Sequence, residues 1–168
     1  GFRKVYRYTA EGKALGEMVR GDWDVQKIHS VDAKTGWVYF SANKDNPFGS
    51  HTYRVKLDGS GMEPLDQASV RPGAGWHEVR FSPTAKYYVD EWSDHASAPR
   101  LTLHHADGKR IRDIATAQQE QEPKQKTELK GGFFRIKTPD EGVTLPATVQ
   151  LPPNFDPAKK YPVWLQLY

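Results

Sequence analysis

Apolar and polar residues alternate along three short segments of the chain that share one form. The segments are KVYRYTAEGK at residues 4–13, TYRVKLDGSG at 52–61 and LTLHHADGKR at 101–110. Each alternating run predicts a β-strand, and each ends in a Glu-Gly or Asp-Gly pair that is typical of a hairpin. The turn glycines lie 47 and 49 residues apart, at Gly12, Gly59 and Gly108. Such dipeptides favour a type I′ turn, in which both central residues have positive φ.

A second element repeats in the same phase as these hairpins. Residues 21–43 (GDWDVQKIHSVDAKTGWVYFSAN) and 75–94 (GWHEVRFSPTAKYYVDEWSD) each hold a tryptophan, an alternating strand, a turn and an aromatic strand. Their first tryptophans, Trp23 and Trp76, are 53 residues apart. Four short strands that recur roughly every 40–50 residues are typical of the blades of a β-propeller.

The pattern therefore predicts an all-β chain that begins with part of a β-propeller, over residues 1–115. Two outer strands of one blade are expected at 3–20, a four-stranded blade at 21–66 and another at 75–115, which is about two and a half blades. A propeller ring usually closes with about 4 to 8 blades, so the predicted ring is open.

The composition changes after the last repeat. Residues 116–132 (TAQQEQEPKQKTELKGG) are rich in Gln, Glu and Lys, which predicts a polar linker or a solvated helix broken near Pro123. Residues 133–168 predict three strands off the repeat period, and hence the start of a second domain. The last of them, YPVWLQLY, is almost continuously apolar, which is typical of a strand buried on both faces of a parallel sheet.

Composition and charge exclude several classes of protein. The 24 basic and 21 acidic residues give a net charge of +3 and are interspersed, whereas nucleic-acid binders usually concentrate positive charge on one face. There is no apolar stretch of about 18 residues, so we expect no membrane span in this chain. The N-terminal residues lack a signal pattern, so a targeting segment is expected to lie outside the chain or not to exist. The absence of cysteine excludes disulfides and thiolate metal sites.

Two segments carry a resemblance to a known family. LPPNFDPAKKYPVWLQLY, residues 151–168, resembles the start of the catalytic domain of the prolyl oligopeptidase family, and most closely its dipeptidyl peptidase IV branch. FSPTAKYYVDEWSDHASAPRLTLHHADGKRIRDI, residues 81–114, resembles the propeller segment just before that domain. The polar linker and the strands after it follow in the family's order, so the resemblance covers nearly the whole chain.

The resemblance implies a β-propeller paired with an α/β-hydrolase domain, whose first strands would be residues 133–168. It implies removal of N-terminal dipeptides with proline or alanine in the second position. The chemistry would be acyl transfer at a serine activated by a histidine that an aspartate orients. The propeller would admit peptides and screen out folded proteins. The resemblance implies no cofactor and no metal, and a location in the periplasm, outside the cell or at the cell surface.

The catalytic triad itself is absent from the sequence. The family nucleophile would lie in G-x-S-x-G, but the nearest match, Ser60 in DGSGM, has Asp58 where the first glycine belongs. Triad histidines of this fold follow the serine, whereas all six histidines here precede residue 106. We therefore expect the chain to be inactive alone. By resemblance, Tyr168 would direct its hydroxyl at the developing oxyanion; the alternative is a tyrosine that only packs.

The remaining candidate residues favour structural roles. His104 and His105 are adjacent on a strand and face opposite sides, so they cannot share one metal. Asp22 and Asp24 share a face and are expected to be solvated or to cap a turn. We assign the family's paired glutamates, which hold the substrate's amino group, to no residue of this chain.

The strand YYVDEW raises a further candidate. We expect one of Asp90 and Glu91 to point inward and to bond a neighbouring blade. The blade tryptophans are expected to be core wedges rather than a ligand cage. They are Trp23, Trp37, Trp76 and Trp92.

An alternative function is a propeller-type interaction module without catalytic activity. A pure propeller has no use for residues 133–168, so that segment favours the peptidase, whose partner would be a peptide substrate. An incomplete ring and an incomplete parallel sheet would also leave edge strands exposed, and this predicts self-association or a rearranged C-terminal segment.

Overall fold

The computed structural model describes residues 1–66, 75–94, 99–116, 130–140 and 142–166. Regular structure within these ranges is entirely β, as the alternating patterns predict. The strands are β1 (Tyr6–Tyr8), β2 (Ala14–Glu17), β3 (Val25–Asp32), β4 (Trp37–Ala42), β5 (His51–Lys56), β6 (Glu63–Pro64), β7 (Trp76–Phe81), β8 (Tyr87–Ser93), β9 (Arg100–His105), β10 (Arg110–Thr116), β11 (Lys130–Lys137) and β12 (Thr144–Leu151). None of the described residues belongs to a helix that could cross a membrane.

The strands form antiparallel meanders, in which each strand pairs with its neighbour in sequence. Two sheets have four strands, in the orders β3-β4-β5-β6 and β7-β8-β9-β10. Two further sheets are the pairs β1-β2 and β11-β12. The four-stranded sheets coincide with the two predicted blades, and β1-β2 with the predicted outer strands at 3–20. This architecture is consistent with a propeller-like region; the total number of blades and the assignment of 133–168 to a hydrolase domain stay predictions.

The three repeated turns share one geometry, which is not the predicted one. Their glycines have φ of 86°, 89° and 89° and each donates its N–H to the carbonyl three residues earlier, at 2.8–3.0 Å. The residues before them, Glu11, Asp58 and Asp107, lack positive φ, because Ala85 is the one described non-glycine residue that has it. The type I′ prediction is therefore wrong. Each loop is a type I turn followed by a left-handed glycine, the three-residue hairpin loop that also suits these dipeptides.

Strand β4 lies at the centre of the packing because both of its faces are buried. Val38, Phe40 and Ala42 face one core cluster, and Tyr39 faces the other. The first cluster joins β1-β2 to the sheet β3–β6 and comprises Val5, Met18, Val19, Trp23, Val25, Val38, Phe40, Ala42, Tyr53 and Val55. The second joins the two four-stranded sheets and comprises Tyr39, Leu65, Val79, Ala85 and Tyr88.

A backbone contact fixes the position of the two four-stranded sheets near this second cluster. The N–H of His77 donates to the carbonyl of Ser50 at 2.9 Å, and Ser50 and Trp76 form an isolated parallel bridge. The start of β5 therefore lies beside the start of β7. This contact brings His51 next to His77.

The C-terminal part of the chain differs from the expectation. Strands β11 and β12 form a hairpin whose Phe133 packs on Phe48, with ring centroids 4.5 Å apart. Residues 161–166 form no strand, and Val163, Trp164 and Leu165 are 88%, 92% and 74% exposed. The prediction of a buried strand is wrong for these residues, because no described strand lies beside them to supply ladder hydrogen bonds and cover. Residues 117–129 of the predicted linker lie outside the described ranges.

Candidate functional site

Four buried ionisable side chains meet between the two four-stranded sheets. His51 begins β5, Asp66 follows β6, His77 lies in β7 and Asp90 lies in β8. Their exposed fractions are 0%, 6%, 3% and 5%, in that order. Ionisable groups are rarely this buried unless they are paired, so the cluster stands out from the apolar core beside it.

Strand alternation explains why two of these side chains point inward. His77 and Val79 share one face of β7, and Tyr88 and Asp90 share one face of β8. Residues of one strand that lie two apart face the same side of the sheet. The polar pair therefore continues the same inner face as the apolar pair. Val79 and Tyr88 pack in the core, and His77 and Asp90 extend it toward the edge of the interface.

His77 is the centre of the cluster. Its Nδ1 lies 2.8 Å from Oδ2 of Asp90, and its Nε2 lies 3.7 Å from Oδ2 of Asp66. The same Asp66 oxygen is 3.6 Å from Nδ1 of His51 and accepts the backbone N–H of Thr52 at 2.8 Å. The two imidazole rings lie 5.6 Å apart between centroids. Side chains from both sheets thus converge on one carboxylate oxygen.

The electrostatic balance favours a protonated His77. Burial is the largest influence and by itself would lower the pKa of His77. The hydrogen bond to Asp90 and the negative charges of Asp90 and Asp66 act in the opposite direction and raise the pKa above its usual value. An imidazole held between two carboxylates therefore binds a proton, or another cation, more readily than an isolated buried imidazole.

Several polar atoms of the cluster make no hydrogen bond to the described residues. These atoms are both ring nitrogens of His51, Nε2 of His77, Oγ1 of Thr52 and Nε1 of Trp92. Buried polar groups normally have a partner, so nitrogens in this state indicate a place where something else can bind.

A cleft of about 660 Å³ adjoins the cluster. The buried side chains of Asp66, His77 and Asp90 line it together with Trp92 and Arg100, whose guanidinium lies 5.7 Å from the indole centroid. Both signs of charge line it, including Asp107 and Asp113 with Lys109 and Arg110. The cleft therefore gives the buried cluster a route to solvent.

Among the candidates from the sequence, Tyr168 lies outside the described residues, so its oxyanion role stays a prediction. His104 and His105 do lie on opposite faces of β9, since His104 stacks on Tyr88 whereas His105 contacts Tyr87. Asp24 bonds a residue distant in the chain, which differs from the solvated or turn-capping role that was expected for the Asp22–Asp24 pair. Its carboxylate accepts the backbone N–H of Arg3 at 2.6 Å.

The inward-pointing residue of the Asp90–Glu91 pair is Asp90, but its partner differs from the expectation. Asp90 bonds His77 of the adjacent strand in its own sheet, rather than a residue of a neighbouring blade. The reason is the register, which sets Val79 opposite Asp90 and so places His77 diagonally within reach.

The four blade tryptophans do not share one role. Trp23 is a core residue, and Trp37 packs at the edge of the second cluster under the side chain of Arg54. Trp76 is 53% exposed, so the core-wedge prediction is wrong for it. Strand β7 buries His77 and Val79, which turns Trp76 to the other face with Glu78 and Arg80. Trp92 lines the cleft.

Comparison with known proteins places the chain in a family. Residues 1–99 match the model of the dipeptidyl peptidase IV (DPP IV) N-terminal region. A probable dipeptidyl-aminopeptidase B of Aspergillus oryzae is 36% identical over 155 residues, which are 90% of this chain and 17% of that protein. A dipeptidyl peptidase 4 of Trichophyton rubrum is 32% identical over 171 residues, covering 100% of this chain and 21% of the relative.

A solved structure supports the same fold. The crystal structure of Porphyromonas gingivalis dipeptidyl peptidase 4 matches with a TM-score of 0.78 and 24% identity, over 96% of this chain and 22% of that one. The chain belongs to the dipeptidyl peptidase IV N-terminal region family. It spans about a fifth of the length of these relatives.

Proposed function

We propose that the chain is the propeller portion, with the first strands of the α/β-hydrolase domain, of a serine-type dipeptidyl peptidase. The parent enzyme would remove N-terminal dipeptides with proline or alanine in the second position. The observation that carries the proposal is the pair of four-stranded meanders at the repeat period, the first of which and the start of the second lie within the segment that matches the family, residues 1–99. The relatives named above carry dipeptidyl peptidase in their names, and this supports the reaction class.

In this proposal the two packed sheets contribute to the wall that limits access to the active site. The interface between them holds the second core cluster and, next to it, the buried histidine–aspartate cluster. We propose that a wall of packed sheets excludes a folded protein while it admits an extended peptide. The acyl transfer would occur on the hydrolase domain.

The 168-residue chain alone is proposed to be inactive, because the sequence holds no G-x-S-x-G and no histidine after residue 105. We propose to assay the chain and the product of its complete gene side by side with Gly-Pro and Ala-Pro chromogenic amides. The complete product is expected to turn over both substrates and to lose activity with a serine-reactive inhibitor. Inhibitor-sensitive turnover by the chain alone would contradict its proposed inactivity.

The sequence of the complete gene also distinguishes the peptidase from the alternative, a non-catalytic interaction module. A reading frame that continues past Tyr168 with a G-x-S-x-G would support the peptidase. One that ends there would support the module.

We propose self-association through edge strands as a property of the separate chain. Strand β10 lies at the edge of its sheet, and its Ile111 and Ile114 are 41% and 45% exposed. Unpaired backbone groups beside exposed apolar side chains favour pairing with another chain. Light scattering over a concentration series tests this, and a monodisperse monomer throughout would contradict it.

For the parent enzyme we propose a location in the periplasm, outside the cell or at the cell surface, which cell fractionation tests.

A further inference from the structure

We propose that His51, Asp66 and His77 form a binding site for a divalent transition metal of the zinc class, at the interface between the two four-stranded sheets. The site would join the sheets, because His51 and Asp66 belong to the first sheet and its last connection, whereas His77 belongs to the second. The proposal goes beyond the peptidase activity and does not depend on it.

The donor set fits this class of metal. Two imidazole nitrogens and one carboxylate oxygen are common ligands of zinc, whereas calcium and magnesium prefer oxygen ligands to imidazole nitrogen. One donor atom from each residue lies within 4.8 Å of the others. The histidine–carboxylate distances are 3.6 and 3.7 Å, close to the roughly 3.3–3.4 Å between donors of a tetrahedral zinc with bonds of about 2.0–2.1 Å.

The hydrogen bonds around the cluster orient the donors for a metal. Asp90 holds Nδ1 of His77, which leaves Nε2 directed at Asp66. The backbone N–H of Thr52 holds the carboxylate of Asp66. Carboxylates that bond the second nitrogen of a metal-binding histidine are a regular feature of zinc sites, because they fix the ring and raise its basicity.

The state of the two histidines is the independent observation in favour of a ligand. His51 is fully buried, and neither of its nitrogens makes a hydrogen bond within the described part of the chain. The same holds for Nε2 of His77. A metal ion at the centre of the triangle would provide a partner for one nitrogen of each ring.

The environment leaves room for a further ligand. Asp66 and His77 line the adjoining cleft, so a water molecule in the cleft could reach an ion that these two residues hold. Three protein ligands with one open position are the arrangement of zinc sites that can exchange their fourth ligand. We therefore expect reversible loading that strengthens the contact between the sheets.

The test uses Co²⁺ as a spectroscopic substitute for zinc. The protein is treated with a chelator, dialysed and titrated with Co²⁺, and the visible bands of low-coordinate, nitrogen-bound cobalt are recorded. One equivalent is expected to bind, to be displaced by Zn²⁺, and to raise the midpoint of thermal unfolding by several degrees. A spectrum that stays that of hydrated cobalt would overturn the proposal.

Three variants and a control locate the site. His51→Ala and His77→Ala are expected to abolish the bands, and Asp90→Asn is expected to weaken binding roughly 10–100-fold, since it only orients His77. The control His104→Ala removes a histidine of the same cleft whose nitrogens lie 2.8 Å from Thr102 and 3.1 Å from the carbonyl of Gly108. This control is expected to retain binding. Bands that persist in both His51→Ala and His77→Ala would contradict the assignment.

A second measurement needs no variant to fold. Long-range ¹H–¹⁵N spectra of the unaltered protein report the ring nitrogens directly. Zn²⁺ is expected to change the ¹⁵N chemical shift of one ring nitrogen of His51 and of one ring nitrogen of His77, and to leave the shifts of His104 unchanged. Shifts confined to other histidines, or none at all, would refute the site.

Discussion

Gly108 of the second four-stranded sheet lies directly against the backbone of Leu65 in the connection from the first. A Cβ on Gly108 would come within 2.6 Å of the Leu65 carbonyl oxygen. Gly59 of the preceding repeat lies in the same way against Met18, where a Cβ would come within 2.8 Å of its carbonyl oxygen. The repeated Asp-Gly turn therefore has a second purpose besides chain reversal, because each turn docks on the backbone of the preceding unit.

The substitution Gly108→Ala is expected to destabilise the protein by about 2–4 kcal/mol. A left-handed φ of 89° costs a residue with a Cβ about 1–2 kcal/mol, and the overlap with Leu65 adds to that. Gly12→Ala is the matched control, since Gly12 has a φ of 86° and no atom within 4 Å of its Cβ position. It is expected to cost only the conformational part, about 1–2 kcal/mol. Urea denaturation measures both, and equal costs would show that the docking contact has no energetic effect.

The buried His77–Asp90 pair is expected to stabilise the second sheet even without a metal. Asp90→Asn keeps the shape and removes the charge that faces His77 at 2.8 Å. We expect a loss of about 1–3 kcal/mol in the free energy of unfolding, measured with a chelator present. Glu91→Gln, one residue along β8 on the opposite face, is the control and is expected to change stability by less than about 0.5 kcal/mol. An equal loss in free energy of unfolding for both variants would show that the His77–Asp90 pair does not stabilise the sheet.

His29 is expected to make stability depend on pH. Burial, followed by the charge of Lys27, lowers its pKa from 6.5 to about 4, against a smaller opposing effect of Glu78 on β7. Its Nε2 lies 2.6 Å from Oγ of Ser41. The unfolded chain therefore binds a proton at a higher pH than the folded one, so stability is complete above pH 6.5 and falls as the pH decreases toward about 4.

His29→Gln should remove this dependence while it keeps a polar partner for Ser41. The full shift corresponds to at most roughly 3 kcal/mol, and partial exposure of His29 reduces the expected loss to about 1–2 kcal/mol. The measurement is urea denaturation of both proteins at several pH values between 4 and 7. His105→Gln, at an exposed position of β9, is the control and should follow the unaltered protein. The assignment would be contradicted if the difference in free energy of unfolding between His29→Gln and the unaltered protein stayed constant as the pH decreased.

The strands were largely predictable from the sequence, whereas the turns show where sequence reasoning stops. Alternation and turn dipeptides located the two four-stranded meanders, because both depend on neighbouring residues. The turn type depended on the sign of φ at one residue, Asp58 or Asp107, and an Asp-Gly pair is compatible with either sign. The core prediction for Trp76 was wrong for a related reason, since the residue types of a strand do not show which of its two faces is buried.

The buried cluster was not predictable because it depends on long-range contacts. The sequence indicated that one of Asp90 and Glu91 points inward, but which of them does so, and its partner, followed from the register of β7 against β8. His51 and His77 meet only because β5 and β7 are joined at Ser50 and Trp76. The available sequence signal was the spacing of His77 and Val79, which lie two residues apart and so face the same side of a strand. That spacing indicated that His77 is buried, but not which residue it contacts.

That the chain is part of a dipeptidyl peptidase is tested most directly with two substrates that differ only at the amino terminus. The product of the complete gene is offered Ala-Pro chromogenic amide and the same amide with its amino terminus acetylated. An enzyme that removes dipeptides must bind the free amine, so the account predicts turnover of the first substrate and at least about a hundredfold loss with the second. Equal turnover of both, or of neither, would contradict it.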